Sequence, residues 1–293
     1  MIENFNERYS DYLNYFNGRL EEYLKEIETQ PSLLGESMKY SLMLGGKRIR
    51  PVIMYAVGQA LGVEKEKITP YAIAMELIHT YSLIHDDLPE MDNDDFRRGK
   101  PSNHKVYGSG NAVLAGDGLL NTAYSVLFGE CFKGSEYISA AKFICDAAGI
   151  YGMIAGQSAD LLHENDKVPD ENVLNYIYEN KTGKLIMASA IVPSVLAGGK
   201  YYSELKEFGR RLGLLFQLTD DILDVCGEFD KLGKSIGKDK SEGKLTSVSL
   251  YGLDASKLRV DITGDDCYTI LDGIDCDVTF LYGLVDFIKA RLK

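Results

Sequence analysis

Residues Pro70–Leu88, PYAIAMELIHTYSLIHDDL, form the stretch that decides the fold. They are apolar on nearly every side of a helix until two aspartates near the end, and a helix of that kind lies in a protein core. Pro70 is expected in the first turn, where its missing N–H has little effect. Carboxylates beside a buried helix either point into solvent or bind hard divalent cations such as Mg²⁺. The stretch therefore predicts a central buried helix with a candidate metal site at its end.

The rest of the chain has the same helical periodicity and almost none of the alternation typical of strands. Phe5–Ile27 carries apolar residues three or four apart, which indicates an amphipathic helix. Further helices are predicted at Leu33–Leu44, Pro51–Leu61, Gly110–Gly129, Glu136–His163, Asp170–Leu196, Ser203–Cys226 and Phe280–Leu292. Pro193 should kink or end its helix, while Asp261–Asp277 is ambiguous because it mixes glycines, β-branched residues and acids. Since no linker or composition break interrupts these patterns, we expect an all-α fold with one domain over residues 1–293.

Composition narrows the function classes. The chain has 293 residues and a net charge of −12, which argues against binding to nucleic acid or to anionic membranes. Its five cysteines include no CxxC pair, as expected for reduced thiols in a cytoplasmic protein. The N-terminal residues do not resemble a secretion signal, and no run of about 18 uncharged apolar residues occurs, so no stable membrane insertion is expected.

Two aspartate clusters carry the strongest chemical signal: DDLPEMD at Asp86–Asp92 and DDILD at Asp220–Asp224. Asp220 and Asp224 are one helical turn apart, about 6 Å along the axis, and share a face. Asp86 and Asp92 would be about 9 Å apart on a straight helix, but a bulge at Pro89 could bring them together. Each cluster could bind metal or could simply be a solvated helix end.

Basic residues near these clusters favour a bound anion. Guanidinium and ammonium groups suit phosphate oxygens, and glycines let a backbone approach closely. The basic residues are Lys47, Arg48 and Arg50 after Gly45-Gly46, Arg97-Arg98, Lys181 before Thr182, and Lys234, Lys238 and Lys244. His79, two turns before Asp86, is either a core histidine or a donor to the anion, and Gln217 is an amide that a ligand could satisfy. A metal-bridged diphosphate fits better than a nucleotide, because no P-loop or GxGxxG motif follows a strand.

Several motifs together resemble one protein family. LIHDDLPEMDNDDFRRGKPSNHKVYG and LFQLTDDILD resemble the two aspartate-rich motifs of the short-chain trans-isoprenyl diphosphate synthases, and GGKRIRP, GQSADL, KTGKL and LGKSIGKD resemble its other motifs in the same order. The resemblance runs from about residue 30 to residue 250. It implies a bundle of about ten or more helices around a central cavity, a homodimer, and condensation of isopentenyl diphosphate with an allylic diphosphate such as dimethylallyl or geranyl diphosphate, head to tail.

The resemblance also implies residue roles. Mg²⁺, three ions per site and replaceable by Mn²⁺, would be bound by Asp86, Asp92 and Asp220, with Asp87, Asp221 and Asp224 as additional carboxylates. The allylic diphosphate would be held by Arg97, Lys181, Lys234 and Lys244. Thr182 and Gln217 would face the cation with Lys181 beside them, which makes these three the candidate catalytic residues. Isopentenyl diphosphate would be held by Lys47, Arg50, His79 and Arg98.

Product length should depend on Tyr81 and Ser82, the fifth and fourth residues before Asp86. The resemblance links an aromatic residue at the fifth position to a fifteen-carbon product, so farnesyl diphosphate is expected, with geranylgeranyl diphosphate as the alternative. A catalytically silent partner subunit would lack one aspartate motif, and a terpene cyclase would carry an NSE or DTE motif. The chain departs from the family pattern at Ser247, where an aromatic residue is usual, at Ser102, and over Asp254–Asp277.

Overall fold

The computed structural model describes residues 4–164, 168, 170–226 and 243–292. These residues are mostly helical, which confirms the all-α prediction. The helices are α1 (Phe5–Lys25), α2 (Ser32–Met43), α3 (Ile49–Leu61), α4 (Lys65–Asp86), α5 (Asn103–Tyr107), α6 (Ser109–Glu130), α7 (Ser135–Ala148), α8 (Met153–Leu162), α9 (Glu171–Ile177), α10 (Lys184–Leu196), α11 (Tyr202–Cys226), α12 (Ser247–Tyr251), α13 (Leu253–Asp272) and α14 (Thr279–Ala290). A 3₁₀ turn, Cys131–Lys133, follows α6, and a π-helix, Tyr178–Gly183, joins α9 to α10.

Helix α4 is the central element, and its burial confirms the prediction. Tyr71, Met75 and Ile78 are fully buried, and α4 packs against α3 and α6. The expected start at Pro70 was wrong, because α4 begins at Lys65 and contains Pro70. Pro70 is close enough to the helix start that its missing N–H removes one hydrogen bond without ending the helix.

The segment predicted as one helix over Glu136–His163 is two helices, α7 and α8. The chain turns between them at Gly149–Gly152. A Cβ at Gly152 would overlap the carbonyl oxygen of Ala147, so this close turn requires glycine. The apolar pattern continues across the turn, which is why periodicity alone did not reveal it.

One stretch of the described residues, Ser135–Leu162, is long and apolar enough to pass a composition test for a membrane span. It contains Lys142 and Asp146, and 39% of the tested window is buried inside the fold. Because buried core helices pass the same test, this is weak evidence for insertion.

The segment predicted as one helix over Asp170–Leu196 starts as expected. The Asp170 side chain caps α9 by accepting a hydrogen bond from the backbone N–H of Asn172 at 2.7 Å. The π-helix then interrupts the regular hydrogen-bond pattern, and α10 ends at Leu196, three residues after Pro193. A π-helix accommodates one extra residue in a single turn, and a change of one residue in the apolar spacing does not by itself distinguish it from a regular helix, so the sequence pattern did not predict it.

The C-terminal region is helical despite its departure from the family pattern. Helix α13 covers most of the ambiguous Asp261–Asp277 segment and packs against α11 and α14. Helix α14 returns to the start of the chain, where Phe280 stacks on Phe5 with ring centroids 4.9 Å apart. This packing brings Arg291, the residue after α14, to the end of α11 that carries the second aspartate cluster.

Candidate active site

The first aspartate cluster lies where α4 ends. The backbone N–H of Asp92 donates to the carbonyl oxygen of Asp86 at 2.8 Å, so the two aspartates are adjacent as predicted. They meet through a tight turn after the helix and not through a bulge within it. Pro89 lies in this turn, because a residue without an N–H cannot extend the helical hydrogen bonds.

The two aspartate clusters face each other across a cavity of about 160 Å³. Asp86, Asp92 and Asp94 lie on one wall, and Asp220 and Asp221 of α11 lie on the other. We call this space the acidic cavity. Its lining also includes Arg97, Asp160, Tyr178, Lys181, Thr182, Gln217 and Lys244. Residues about 130 positions apart in the chain therefore meet here.

Each of the main cavity carboxylates has a polar or cationic neighbour. Lys244 pairs with Asp92 at 2.9 Å, and Arg291 pairs with Asp220 at 2.5 Å. Asp86 accepts a hydrogen bond from the Gln157 amide at 2.6 Å. Burial raises the pKa of Asp86, although nearby cations oppose the shift.

The donor set fits Mg²⁺, a hard cation that prefers carboxylate oxygens. Among the described residues, no three acidic, histidine or cysteine side chains converge as a preformed metal cage. Mg²⁺ commonly completes its shell with water and ligand phosphate oxygens, so carboxylates spread over two walls suit an ion that bridges to a bound diphosphate.

Arg97 and Asp87 are engaged with each other. Arg97, on a short hairpin formed by Phe96–Arg97 and Lys100–Pro101, donates from Nε to Asp87 at 2.9 Å and also pairs with Asp94 at 3.2 Å. Burial raises the pKa of Asp87 to about 6, and Arg97 opposes this. The structure therefore places Asp87 behind the acidic cavity as the partner of Arg97, away from the position expected of a metal ligand.

The second cluster also differs from its predicted arrangement. Asp221 lines the cavity, whereas Asp224 is buried and is not part of the lining. Asp221 accepts hydrogen bonds from Gln217 Nε2 at 3.0 Å, from the Ser247 backbone N–H at 2.7 Å and from the Tyr178 hydroxyl. Ser247, where the family pattern has an aromatic residue, thus contributes through its backbone, a contact that no side-chain motif could reveal.

The three candidate catalytic residues come together. Lys181 and Thr182 lie in the π-helix, and the Thr182 hydroxyl donates to Gln217 Oε1 at 2.8 Å. Lys181 Nζ lies 2.6 Å from Asp160 and 3.9 Å from Asp86. Sequence reasoning assigned no role to Asp160, although GQSADL was recognised as a motif.

A second cavity of about 370 Å³ adjoins the acidic cavity and shares Asp86, Lys181 and Thr182 with it. We call it the apolar cavity, because Met91, Met153, Ile154 and Leu161 contribute much of its wall. Tyr81 and Ser82 also line it, as their spacing from Asp86 predicted. The Tyr81 hydroxyl is buried without a hydrogen-bond partner among the described residues, and burial raises its pKa to about 12. Joined polar and apolar cavities suit a ligand with an anionic head and an apolar tail.

The predicted isopentenyl diphosphate residues surround Gly45-Gly46 and the neighbouring cavity wall. Arg50 and His79 line the apolar cavity. Arg98 donates to the Gly45 carbonyl oxygen and packs against Gly46, where a Cβ would overlap its guanidinium. Lys47 is exposed nearby. Burial and then the charge of Arg50 hold the pKa of His79 well below its usual value, so its ring is neutral. Lys234 and Lys238 lie outside the described residues.

Comparisons with known proteins agree with this arrangement. The polyprenyl synthetase family profile matches residues 31–265. Farnesyl diphosphate synthase of Bacillus subtilis (strain 168) is 41% identical over 281 residues, covering 93% of each chain. Geranylgeranyl pyrophosphate synthase 4 of Arabidopsis thaliana is also 41% identical, covering 94% of this chain and 75% of its own.

Solved structures show the same fold. An FPP/GFPP synthase from Zymomonas mobilis has a TM-score of 0.86 at 30% identity, covering 98% of this chain and 99% of its own. A geranyltransferase from Helicobacter pylori, complexed with magnesium and isoprenyl diphosphate, has a TM-score of 0.83 at 32% identity, covering 97% of both chains. From its matching profile, close relatives and fold, this chain belongs to the polyprenyl synthetase family.

Proposed function

We propose that the protein condenses isopentenyl diphosphate with dimethylallyl or geranyl diphosphate, head to tail, and releases mainly farnesyl diphosphate. The observation that carries the proposal is the pairing of the acidic cavity with the apolar cavity that Tyr81 lines. A diphosphate would occupy the first and a prenyl tail the second. The farnesyl diphosphate synthases among the relatives support the same reaction.

Mg²⁺ would be held by Asp86 and Asp92 from one wall and by Asp220 from the other, with three ions per site. When bound, it would neutralise the charge that grows on the leaving diphosphate. Asp221 and Asp224 would support the second wall, and Asp87 would act through Arg97. The magnesium and isoprenyl diphosphate bound to the Helicobacter pylori relative support this assignment.

The chain's own residues would hold and orient the allylic diphosphate. Lys181 and Lys244 would move from their aspartate partners to phosphate oxygens once metal neutralises the carboxylates. Arg97 would keep its bond to Asp87 and stabilise the charge from behind, and Lys234 is assigned here by resemblance. These groups stabilise the leaving group as the allylic C–O bond breaks.

The resulting allylic cation would face Thr182 and Gln217, whose oxygens present partial negative charge. The double bond of isopentenyl diphosphate attacks this cation, a C–C bond forms, and the departing diphosphate removes the proton. Water must be excluded while the cation exists, and the apolar wall of the second cavity serves this purpose.

Isopentenyl diphosphate would bind to Lys47, Arg50, His79 and Arg98. Replacing Lys47 with alanine should chiefly raise the KM for isopentenyl diphosphate, because one charged donor is lost. A steady-state titration of each substrate measures this. An increase confined to the KM of the allylic substrate would show that the two subsites are reversed.

The decisive experiment incubates the protein with labelled isopentenyl diphosphate, an allylic primer and Mg²⁺. Label in a fifteen-carbon chain supports the proposal, and a twenty-carbon chain favours geranylgeranyl diphosphate synthase, as in the Arabidopsis thaliana relatives. Absence of any longer prenyl chain would contradict the proposal and favour a silent partner subunit. A hydrocarbon product would favour a terpene cyclase.

The last part of the proposal is that the protein is a homodimer in the cytoplasm. Large apolar side chains are exposed along α6, in the 3₁₀ turn after it and in the turn before α8, including Phe132 of the 3₁₀ turn at 82% and Tyr151 at 83% exposure. Such side chains are typical of covered surfaces, and a second copy is the usual partner. Light scattering after size-exclusion chromatography measures the mass. A single-chain mass at micromolar concentration would contradict the dimer.

A further inference from the structure

A buried ion pair lies beneath the loop that carries the basic residues. Arg48 Nη1 and Glu76 Oε1 are 2.6 Å apart, and their side chains are 2% and 1% exposed. Arg48 follows Gly45-Gly46-Lys47, and Glu76 lies on α4, three residues before His79. The pair thus joins the basic loop to the helix that carries the first aspartate cluster.

The same guanidinium binds two further helices. Arg48 donates from Nη2 to the Leu42 carbonyl oxygen in α2 and from Nε to Asn17 Oδ1 in α1 at 3.4 Å. It also lies over the Phe16 ring, 6.0 Å from the centroid. One side chain therefore ties the loop to α1, α2 and α4. A buried ion pair is weak evidence for stability, because desolvation can exceed the Coulomb attraction. The contacts of Arg48 with three helices indicate instead that the pair fixes the position of the loop.

The backbone around Arg48 is constrained in the same way. Arg48 has a φ of 48°, which an L-residue adopts only when its surroundings hold it there. The Tyr9 hydroxyl donates to the Lys47 carbonyl oxygen at 2.5 Å. With its backbone held on one side and the Arg48 side chain held below, the loop presents Lys47 at the surface, and Arg50 follows in the first turn of α3.

Glu76 also acts on the other arginines. Burial lowers the pKa of Arg98 to about 10, and Glu76 is the largest influence that opposes it. Burial likewise lowers the pKa of Arg50, again with Glu76 as the main opposing charge. One buried carboxylate thus offsets the mutual repulsion of Arg48, Arg50 and Arg98 before an anion binds.

We propose that the Arg48–Glu76 pair positions the isopentenyl diphosphate subsite, holding the Gly45–Arg48 loop so that Lys47, Arg50 and Arg98 converge on one diphosphate. The inference rests on the proposed function for the identity of that diphosphate. Both residues act through the loop and its cations, so they are positioning residues. Disrupting the pair should weaken binding of isopentenyl diphosphate and leave the allylic subsite unchanged.

Two variants test this. Glu76→Gln keeps the shape and removes the charge, and Arg48→Met with Glu76→Leu replaces the pair by apolar groups, an exchange that often preserves stability. Both should raise the KM for isopentenyl diphosphate by about tenfold or more, which corresponds to about 1.4 kcal/mol. The KM for the allylic substrate should stay within about twofold. A double variant that keeps its Tm and has the wild-type KM would overturn the proposal.

Ile144→Val on α7 is the matched control, since it removes one methyl group from a fully buried side chain on a helix that carries none of the loop's partners. Its Tm should fall while both KM values stay unchanged. If this control also raised the KM for isopentenyl diphosphate, general destabilisation would explain the effect and the proposal would fail.

A binding measurement separates this inference from the proposed function. Inorganic diphosphate is titrated calorimetrically into metal-free protein in EDTA, where the metal-dependent allylic subsite does not contribute. Wild-type binding that weakens about tenfold in Glu76→Gln supports the inference even if the wild-type protein forms no prenyl product. Equal binding by the two proteins, or none by the wild type, would overturn it.

Discussion

Replacing Arg291 with glutamine should let the acidic cavity bind Mg²⁺ at lower concentrations. Arg291 lies directly after α14 and pairs with Asp220, a proposed metal ligand, at 2.5 Å. Its guanidinium also lies over the Phe216 ring, 5.0 Å from the centroid. A metal ion at Asp220 must displace this positive charge or share the carboxylate with it. Glutamine keeps the length and polarity but removes the charge.

The size of the effect follows from the exposure of the pair. The side chains of Arg291 and Asp220 are 12% and 32% exposed, so the pair is more buried than a surface salt bridge. Exposed pairs contribute up to about 1 kcal/mol, and a value near this upper end is expected here. Since about 1.4 kcal/mol is a tenfold change, the half-saturating Mg²⁺ concentration should fall by about fivefold.

Calorimetric titration of Mg²⁺ in the presence of an excess of an unreactive allylic thiodiphosphate measures this without relying on turnover. Arg211→Gln is the matched control, because it removes the same charge from an arginine that pairs with Glu207 at 2.9 Å and Asp266 at 3.1 Å, neither of which lines the acidic cavity. The control should leave the Mg²⁺ midpoint unchanged. An Arg291→Gln midpoint equal to that of the wild type would refute the competition between arginine and metal.

Three further substitutions test other parts of the site. Tyr81→Ala removes the ring from the apolar cavity and should lengthen the products; chromatography that shows the same chain length would contradict the proposed limit. Asp86→Asn should abolish turnover while leaving the metal-free Tm equal or higher, because burial already disfavours the Asp86 charge; near-normal turnover would rule out its metal role. Gly156→Ala should lower kcat by roughly tenfold or more, because its Cβ would overlap the Lys181 backbone nitrogen. Gly129→Ala, where a Cβ meets nothing within 4 Å, should have no such effect, and equal kcat values would contradict the argument.

Helical periodicity predicted the fold class and most helices, because most helices bury one continuous apolar stripe. The prediction of helix bounds failed where the backbone changes direction but the apolar pattern continues. Pro70 suggests a helix start but lies inside α4, and the turn at Gly149–Gly152 lies within an apolar stretch. Local propensity cannot detect these features, since packing against neighbouring helices decides them.

The site was predicted in outline, because charged residues beside apolar helices require a ligand or a partner. Spacing alone could not show which carboxylate faces the cavity. Asp221 lines it while Asp224 lies beneath, because Tyr178 and the Ser247 backbone hold Asp221 in place. The contact of Arg291 with Asp220 spans 71 residues and depends on how α14 packs, so no motif contains it. The residue roles stay predictions.

The π-helix at Tyr178–Gly183 determines how the fold and the site would respond to deletion of one residue. An α-helix advances about 100° per residue, and a π-helical turn accommodates one extra residue. Deleting one residue there would let α9 continue into α10 as regular helix, with its apolar face still in register with the core. The same deletion would rotate Lys181 away from Asp86 and Asp160. A chain shortened by one residue could therefore be as stable as the wild type, or more so, while Lys181 loses its contacts with Asp86 and Asp160. At this one turn, a deletion that the fold tolerates would still remove the function.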